Sequence, residues 1–226
     1  MPPSESILPD PAPSPSWWAR HGLFALALLL GVAVPLYLFG VLADDVLEKE
    51  GFVFDAPILQ FMHARATPAL DALMVFFARA GSAKVLLPLN IAVLFFLVLK
   101  HDRVHQVFWL AATAGAALIN LMAKNAFSRV RPSLWLSILP ETTFSFPSGH
   151  AMQTMAVSLA LVILLWKTRW RWLAVVLGIL FVVFVGACRV YLGVHYPSDI
   201  LAGWTASVAW VAGLAVALQI YARRRR

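Results

Sequence analysis

Residues 146–167 read FPSGHAMQTMAVSLALVILLWK. The stretch opens on proline, serine, glycine and histidine, turns apolar within a few residues, and ends on a tryptophan and a lysine. Ser148 is a preferred helix N-cap, and Gly149 lets a ligand approach the backbone closely. A helix is therefore expected to begin here and run through residues 149–167, apolar enough to sit in a bilayer. The first turn of such a helix has unpaired N–H groups, and a helix N-terminus of this kind is suited to an anion. Taken alone, the same residues also describe an ordinary capped helix after a loop.

The composition extends that reading to the whole chain. Of 226 residues, 61% are hydrophobic and only 13% charged, against about 25% charged in soluble domains. With several long apolar runs, this indicates an integral membrane protein of the all-α class. The net charge of +7 does not imply nucleic acid, because no basic stripe lies on a soluble fold. Positive loops are what a membrane protein requires. Cys188 is the only cysteine, which excludes an internal disulfide and a Cys₂His₂-type zinc site.

Six spans are expected, at 21–43, 83–99, 106–125, 149–167, 171–188 and 199–221. Pro35 is placed to kink the first. Residues 1–20, rich in Pro and Ser at the start, read as a disordered cytoplasmic tail, residues 21–221 as one bundle, and residues 222–226 as a basic tail. The run Leu23–Ala43 is longer than the apolar region of a signal peptide and is preceded only by Arg20, so it reads as a retained span. Lys and Arg number ten at one set of helix ends and eight at the other. Several of the eight belong to the polar clusters described next, so the positive-inside rule puts both termini in the cytoplasm. Trp17, Trp18, Trp166, Trp170 and Trp172 then read as interface anchors. In the loop 44–82, Leu70, Leu73, Met74 and Phe77 fall at helical spacing. That helix either lies on the bilayer or packs on the bundle. Small residues recur at Ala202/Ala206, at Ala209/Gly213/Ala217 and over Ala111–Ala117, a pattern for close helix packing inside the bundle, with a homodimer as the alternative.

Three polar clusters then share the extracytoplasmic side. Lys124 and Arg131 lie across the end of the third span, Ser148–His150 open the fourth, and Arg189, His195 and Asp199 lie between the fifth and sixth. Three cations at one membrane edge suit lipid headgroups or one phosphate, which arginine pairs bidentately. His195 and Asp199, four apart, would share a helix face, or meet in a turn if Pro197 interrupts the helix. A carboxylate that fixes the imidazole tautomer exposes the other nitrogen as a nucleophile. His150 is a second imidazole, placed to act as a general acid. Asn120, one turn before Lys124, would support that lysine or bond between helices.

Lys124-x₆-Arg131-Pro132, Pro147-Ser148-Gly149-His150 and Arg189-x₅-His195-x₃-Asp199 together resemble the three-part signature of the type 2 phosphatidic acid phosphatase (PAP2) superfamily. Order, spacing and topological side all match, over about residues 83–221. The resemblance implies a lipid phosphate phosphatase of the inner or plasma membrane, without metal or other cofactor. It implies substrates such as phosphatidic acid, phosphatidylglycerol phosphate or undecaprenyl pyrophosphate. It also implies attack by His195 on phosphorus, orientation of His195 by Asp199 and protonation of the leaving group by His150. Lys124, Arg131, Arg189, Ser148 and Gly149 would hold the phosphate oxygens. Where the family pattern often has Ser-Arg, this chain has Cys188-Arg189. Arg129 lies outside the motif and is expected at a headgroup. Transfer of the phosphoryl group to another lipid, and a non-catalytic protein that holds an anionic lipid, are the alternatives.

Overall fold

The computed structural model describes residues 17–224, all of whose regular elements are helical. Of the tail expected to be disordered over residues 1–20, residues 1–16 lie outside that range, as do the last two residues and the side chains of Trp17 and Trp18, while residues 17–20 are helical and belong to the first span.

The first span is one continuous rod made of α1 (Trp17–Leu28), a π-helical turn (Leu29–Ala33) and α2 (Val34–Leu47). Pro35 explains the wide turn. It has no N–H to donate, and its ring crowds the carbonyl one turn earlier. A π turn just upstream absorbs the mismatch next to the position where a kink was expected, and the apolar run from Phe24 to Leu47 stays helical throughout. Two short helices follow, α3 (Asp55–His63) and α4 (Pro68–Ala80). Thr67 caps α4 by accepting from the Leu70 N–H at 3.3 Å, and Pro68 stands at the first helical position, where a missing N–H costs nothing.

Next come α5 (Ala83–Leu99), α6 (Arg103–Phe127), α7 (Gly149–Leu165), α8 (Arg171–Tyr191) and α9 (Pro197–Arg224). Asp102 caps α6, and Ser148 caps α7. Four helices are long and apolar enough to cross a membrane: Phe24–Leu47, Arg103–Phe127, Arg171–Tyr191 and Pro197–Ile220. The pair α4 and α5, bent by 43° at their junction, makes a fifth if taken as one span. The apolar helix α7 is shorter.

α7 stands at the centre, packed against α5, α6, α8 and α9, while the first span runs along α9. Small residues allow these close approaches. Ala112 and Ala116 of α6, Ala156 and Ala160 of α7, and Val211 of α9 are fully buried around Trp109. In lipid this closeness stabilises through packing rather than through removal from water. Trp210 of α9 reaches α6 and donates to the Ala111 carbonyl at 2.9 Å, so the small-residue run on α6 serves packing inside the bundle. On α9, Ala202 is buried and Ala217 is exposed. Trp166, Trp170 and Trp172 are all about half exposed beside Arg169 and Arg171, in the short turn where anchors were expected.

The loop helix α4 packs on the bundle with one face. Ala78, Met74 and Phe77 lie against Cys188, Tyr191 and Leu192, Phe77 stacks on Phe184 at 4.7 Å, and the Tyr191 hydroxyl donates to Asp71 at 2.7 Å. Leu73 and Phe76 remain exposed on the other face.

Candidate active site

The long α6–α7 loop is closed at its neck by the Ser145 N–H, which donates to the Arg129 carbonyl at 2.8 Å. This brings the end of α6, the start of α7 and the α8–α9 turn to one end of the bundle. A cavity of about 250 Å³ opens there, and its walls include Lys124, Arg131, Glu141, Gly149, His150 and His195. Ser148 and Arg189 sit behind the wall. Ser148 is fully buried, with its hydroxyl capping α7 and its N–H donating to the Asp199 carbonyl at 3.1 Å. Arg189, 2% exposed, pairs with the Glu141 carboxylate, and its Nε has no hydrogen-bond partner among the described residues.

His195 and Asp199 meet through a turn, not along a helix face. α9 starts at Pro197, so His195 precedes the helix and Asp199 lies in its first turn. The Asp199 Oδ2 accepts from the Tyr196 N–H at 2.8 Å, reaching back across the helix start in the manner of a capping box. The same oxygen accepts from the Ser145 hydroxyl and lies 3.3 Å from His195 Nδ1. On the other side of the ring, Arg131 Nη1 lies 3.0 Å from His195 Nε2. Guanidinium only donates, so Nε2 must offer its lone pair and the ring proton sits on Nδ1, facing Asp199. Burial pushes the His195 pKa down to about 3, against the pull of Asp199 and with the charges of Arg189 and Arg131 adding to the fall. The imidazole is thus neutral at pH 7, with its Nε2 electron pair held toward the Arg131 guanidinium at the cavity wall.

The cations of the wall find oxygen partners on residues 143–144. Lys124 Nζ donates to the Thr143 hydroxyl at 3.2 Å and to the Phe144 carbonyl. Arg131 donates to the Thr143 carbonyl at 2.6 Å and to the Val194 carbonyl at 2.7 Å. Burial opposes the Glu141 charge, but Arg189, His150 and Arg131 outweigh it and hold its pKa below the ordinary carboxylate range. Among the described residues, no three of His, Cys, Asp and Glu come together as a metal site.

Gly193 makes the α8–α9 turn possible. Its φ of +69° lies in the left-handed region, and a Cβ there would stand 2.6 Å from the Trp135 indole. Asn120 does not support Lys124. Its amide donates to the Pro147 carbonyl at 3.0 Å and contacts Met152 Sδ at 3.3 Å, which fixes the start of α7. Its Oδ1 lies where a Cβ on residue 149 would come within 2.9 Å. Cys188 donates its thiol to the Val185 carbonyl at 3.1 Å within α8 and packs among apolar neighbours.

Arg129, expected at a headgroup, has its guanidinium engaged inside the protein. It is largely buried and bridges two carboxylates, with Nη1 2.6 Å from Asp199 Oδ1 and Nη2 3.0 Å from Asp55 Oδ2. Neither Asp55 nor Glu141 was singled out from the sequence, where each is a lone acidic residue in a loop far from its partner.

The PAP2 superfamily matches residues 106–225 of the chain. The undecaprenyl-diphosphatase of Sulfolobus acidocaldarius is 32% identical over 176 residues, covering 76% of this chain and 81% of the relative. Phosphatidylglycerophosphatase B of Bacillus subtilis is 30% identical over 146 residues, covering 61% of this chain and 70% of that protein. The crystal structure of a transmembrane PAP2-type phosphatidylglycerolphosphate phosphatase from Bacillus subtilis superposes with a TM-score of 0.70 at 26% identity, over 85% of this chain and 97% of that one. The chain therefore belongs to the PAP2 superfamily. It is a multi-pass membrane protein and a phosphatase.

Proposed function

We propose that this phosphatase hydrolyses a lipid phosphate or lipid pyrophosphate through a phosphohistidine on His195, without a metal. One observation carries the reading. His195 Nε2 keeps its lone pair on the cavity side, held there by the Arg131 guanidinium, which an incoming phosphate would draw to its own oxygens, while Nδ1 faces the Asp199 carboxylate at 3.3 Å. In the first step, Nε2 attacks phosphorus and the P–O bond to the lipid breaks. His150, which enters the step as imidazolium beside the phosphate anion, gives its proton to the departing oxygen and is left neutral. The positive charge that develops on the His195 ring is stabilised by Asp199. In the second step, His150 takes a proton from water, the water oxygen bonds to phosphorus, the P–N bond breaks and phosphate leaves. Lys124, Arg131 and Arg189 stabilise the charge on the phosphoryl oxygens. Among the described residues, the first-turn N–H groups of α7 at Gly149 and His150 have no hydrogen-bond partner and are free for the same purpose, while Arg189, behind the wall, contributes through its charge. Ser148 acts by holding that turn in place.

The names of the relatives favour undecaprenyl pyrophosphate or phosphatidylglycerol phosphate as substrate, with phosphatidic acid a third member of the class. Six spans are proposed, with α4–α5 and α7 completing the four longer ones, both termini in the cytoplasm and the cavity facing the exterior. The Lys and Arg count of the loops supports this orientation. The reaction is tested by brief incubation with a ³²P-labelled lipid phosphate and rapid quenching. A label stable in base, labile in acid and mapped to His195 is expected. Label at another residue, or none under conditions of turnover, would overturn the covalent step.

A further inference from the structure

We infer that Asp55 and Arg129 are positioning residues of this reaction, and that α3 is therefore part of the machinery although it lies outside the region matched to the superfamily. The inference rests on the His195–Asp199 reading above. The contacts form an unbroken row. Ser198 N–H donates to Asp55 Oδ1 at 2.9 Å, and the Ser198 hydroxyl donates to Asp55 Oδ2 at 2.6 Å. Arg129 Nη2 donates to Asp55 Oδ2 at 3.0 Å, and its Nη1 donates to Ser198 Oγ at 2.8 Å and Asp199 Oδ1 at 2.6 Å. The guanidinium carbon lies over the Tyr196 ring, 4.2 Å from its centre. Asp55 is 4% exposed and Asp199 fully buried, so water compensates little for a lost partner.

The order of charges gives the row its function. Arg129 alone would neutralise Asp199 and cancel its effect on the imidazole. Asp55 on the far side of Arg129 restores one net negative charge to the row. Asp199 can then both orient His195 and stabilise the ring when it becomes cationic. The same contacts clamp α3 to the first turn of α9, where Ser198 and Asp199 are neighbours.

The test uses the full chain in detergent, with short-chain phosphatidic acid as substrate and inorganic phosphate as inhibitor. Asp55→Asn keeps the shape and removes the charge. We expect kcat to fall by about 10- to 100-fold, the scale for partners that orient a reacting group, with KM and phosphate inhibition little changed. Asp55→Glu restores the charge, and the cavity of about 450 Å³ lined by Asp55 and Arg129 has room for one more methylene. It should recover part of the loss. Arg129→Lys, whose compact ammonium lacks the planar fork that reaches Asp55 and Asp199 with separate nitrogens, should show the same loss in kcat and serves if Asp55→Asn does not fold. An unchanged kcat in these folded variants would overturn the inference, as would equal losses in kcat and phosphate affinity with no recovery in Asp55→Glu. If His195→Ala is inert while Asp55→Asn is fully active, only this inference fails. If His195→Ala turns over normally, the histidine reading fails and this inference with it.

Discussion

At the residue scale, His195 is held in one tautomer from both sides, by a donor at Nε2 and a carboxylate at Nδ1. His195→Ala should lower turnover by about 10⁴-fold or more, the scale of losing a covalent nucleophile, while inorganic phosphate still binds the Lys124 and Arg131 wall. The depressed pKa of His195, about 3, also ties stability to pH. An imidazole in the unfolded chain titrates near about 6.5. The unfolded state therefore gains a proton before the folded state does, and stability that is complete above that pH is lost as pH falls toward 3. Melting in detergent between pH 7.5 and 5 should show a steeper decline for wild type than for His195→Gln, by up to about 1.4 kcal/mol per pH unit. Parallel curves would contradict a buried neutral imidazole. Cys188→Ser should turn over at close to the wild-type rate, because the thiol bonds within its own helix and does not reach the cavity. The signature residues were legible because their chemistry and spacing are local. Asp55 was not, because its meaning comes from Ser198, 143 positions away, and periodicity carries no trace of such a pairing.

At the scale of elements, the starts of α7 and α9 set the geometry. Ser148 marked the start of α7 in the sequence, since a cap acts locally, whereas Pro197 was read as a break between His195 and Asp199 and stands instead at the first position of α9. The turn between α8 and α9 was less legible. Gly193 needs a left-handed φ there, and the side chain that closes over it is Trp135, from a loop 58 positions earlier. Gly193→Ala should cost about 1–3 kcal/mol from backbone strain alone, with more from the indole contact. A fall in melting temperature together with reduced kcat would be expected, because His195 lies two residues on. A variant of wild-type stability would show that the turn has slack. The π turn before Pro35 was not legible, since the proline alone does not fix how a helix absorbs its missing bond. The packing of α4 on α8 likewise depends on partners that α4's own periodicity does not name.

At the scale of the whole molecule, hydropathy and charge were enough to indicate a helical membrane bundle with its polar clusters at one end. They could not show that Ser148 and Arg189 stand behind the cavity wall, or that Glu141 shares that wall, because these positions follow from packing. The orientation is tested with a tag after Arg226, which should be reachable only after cells are permeabilised; labelling of intact cells would reverse the topology. The central claim, that His195 carries a metal-free lipid phosphatase reaction, is tested most directly by phosphate release from purified protein in EDTA. Phosphatidic acid, phosphatidylglycerol phosphate and undecaprenyl pyrophosphate would each be offered to wild type and to His195→Ala. Release from at least one of them by wild type alone, undiminished by EDTA, is the result expected. Release by His195→Ala at the wild-type rate, or activity that vanishes in EDTA and returns with a divalent ion, would contradict the account.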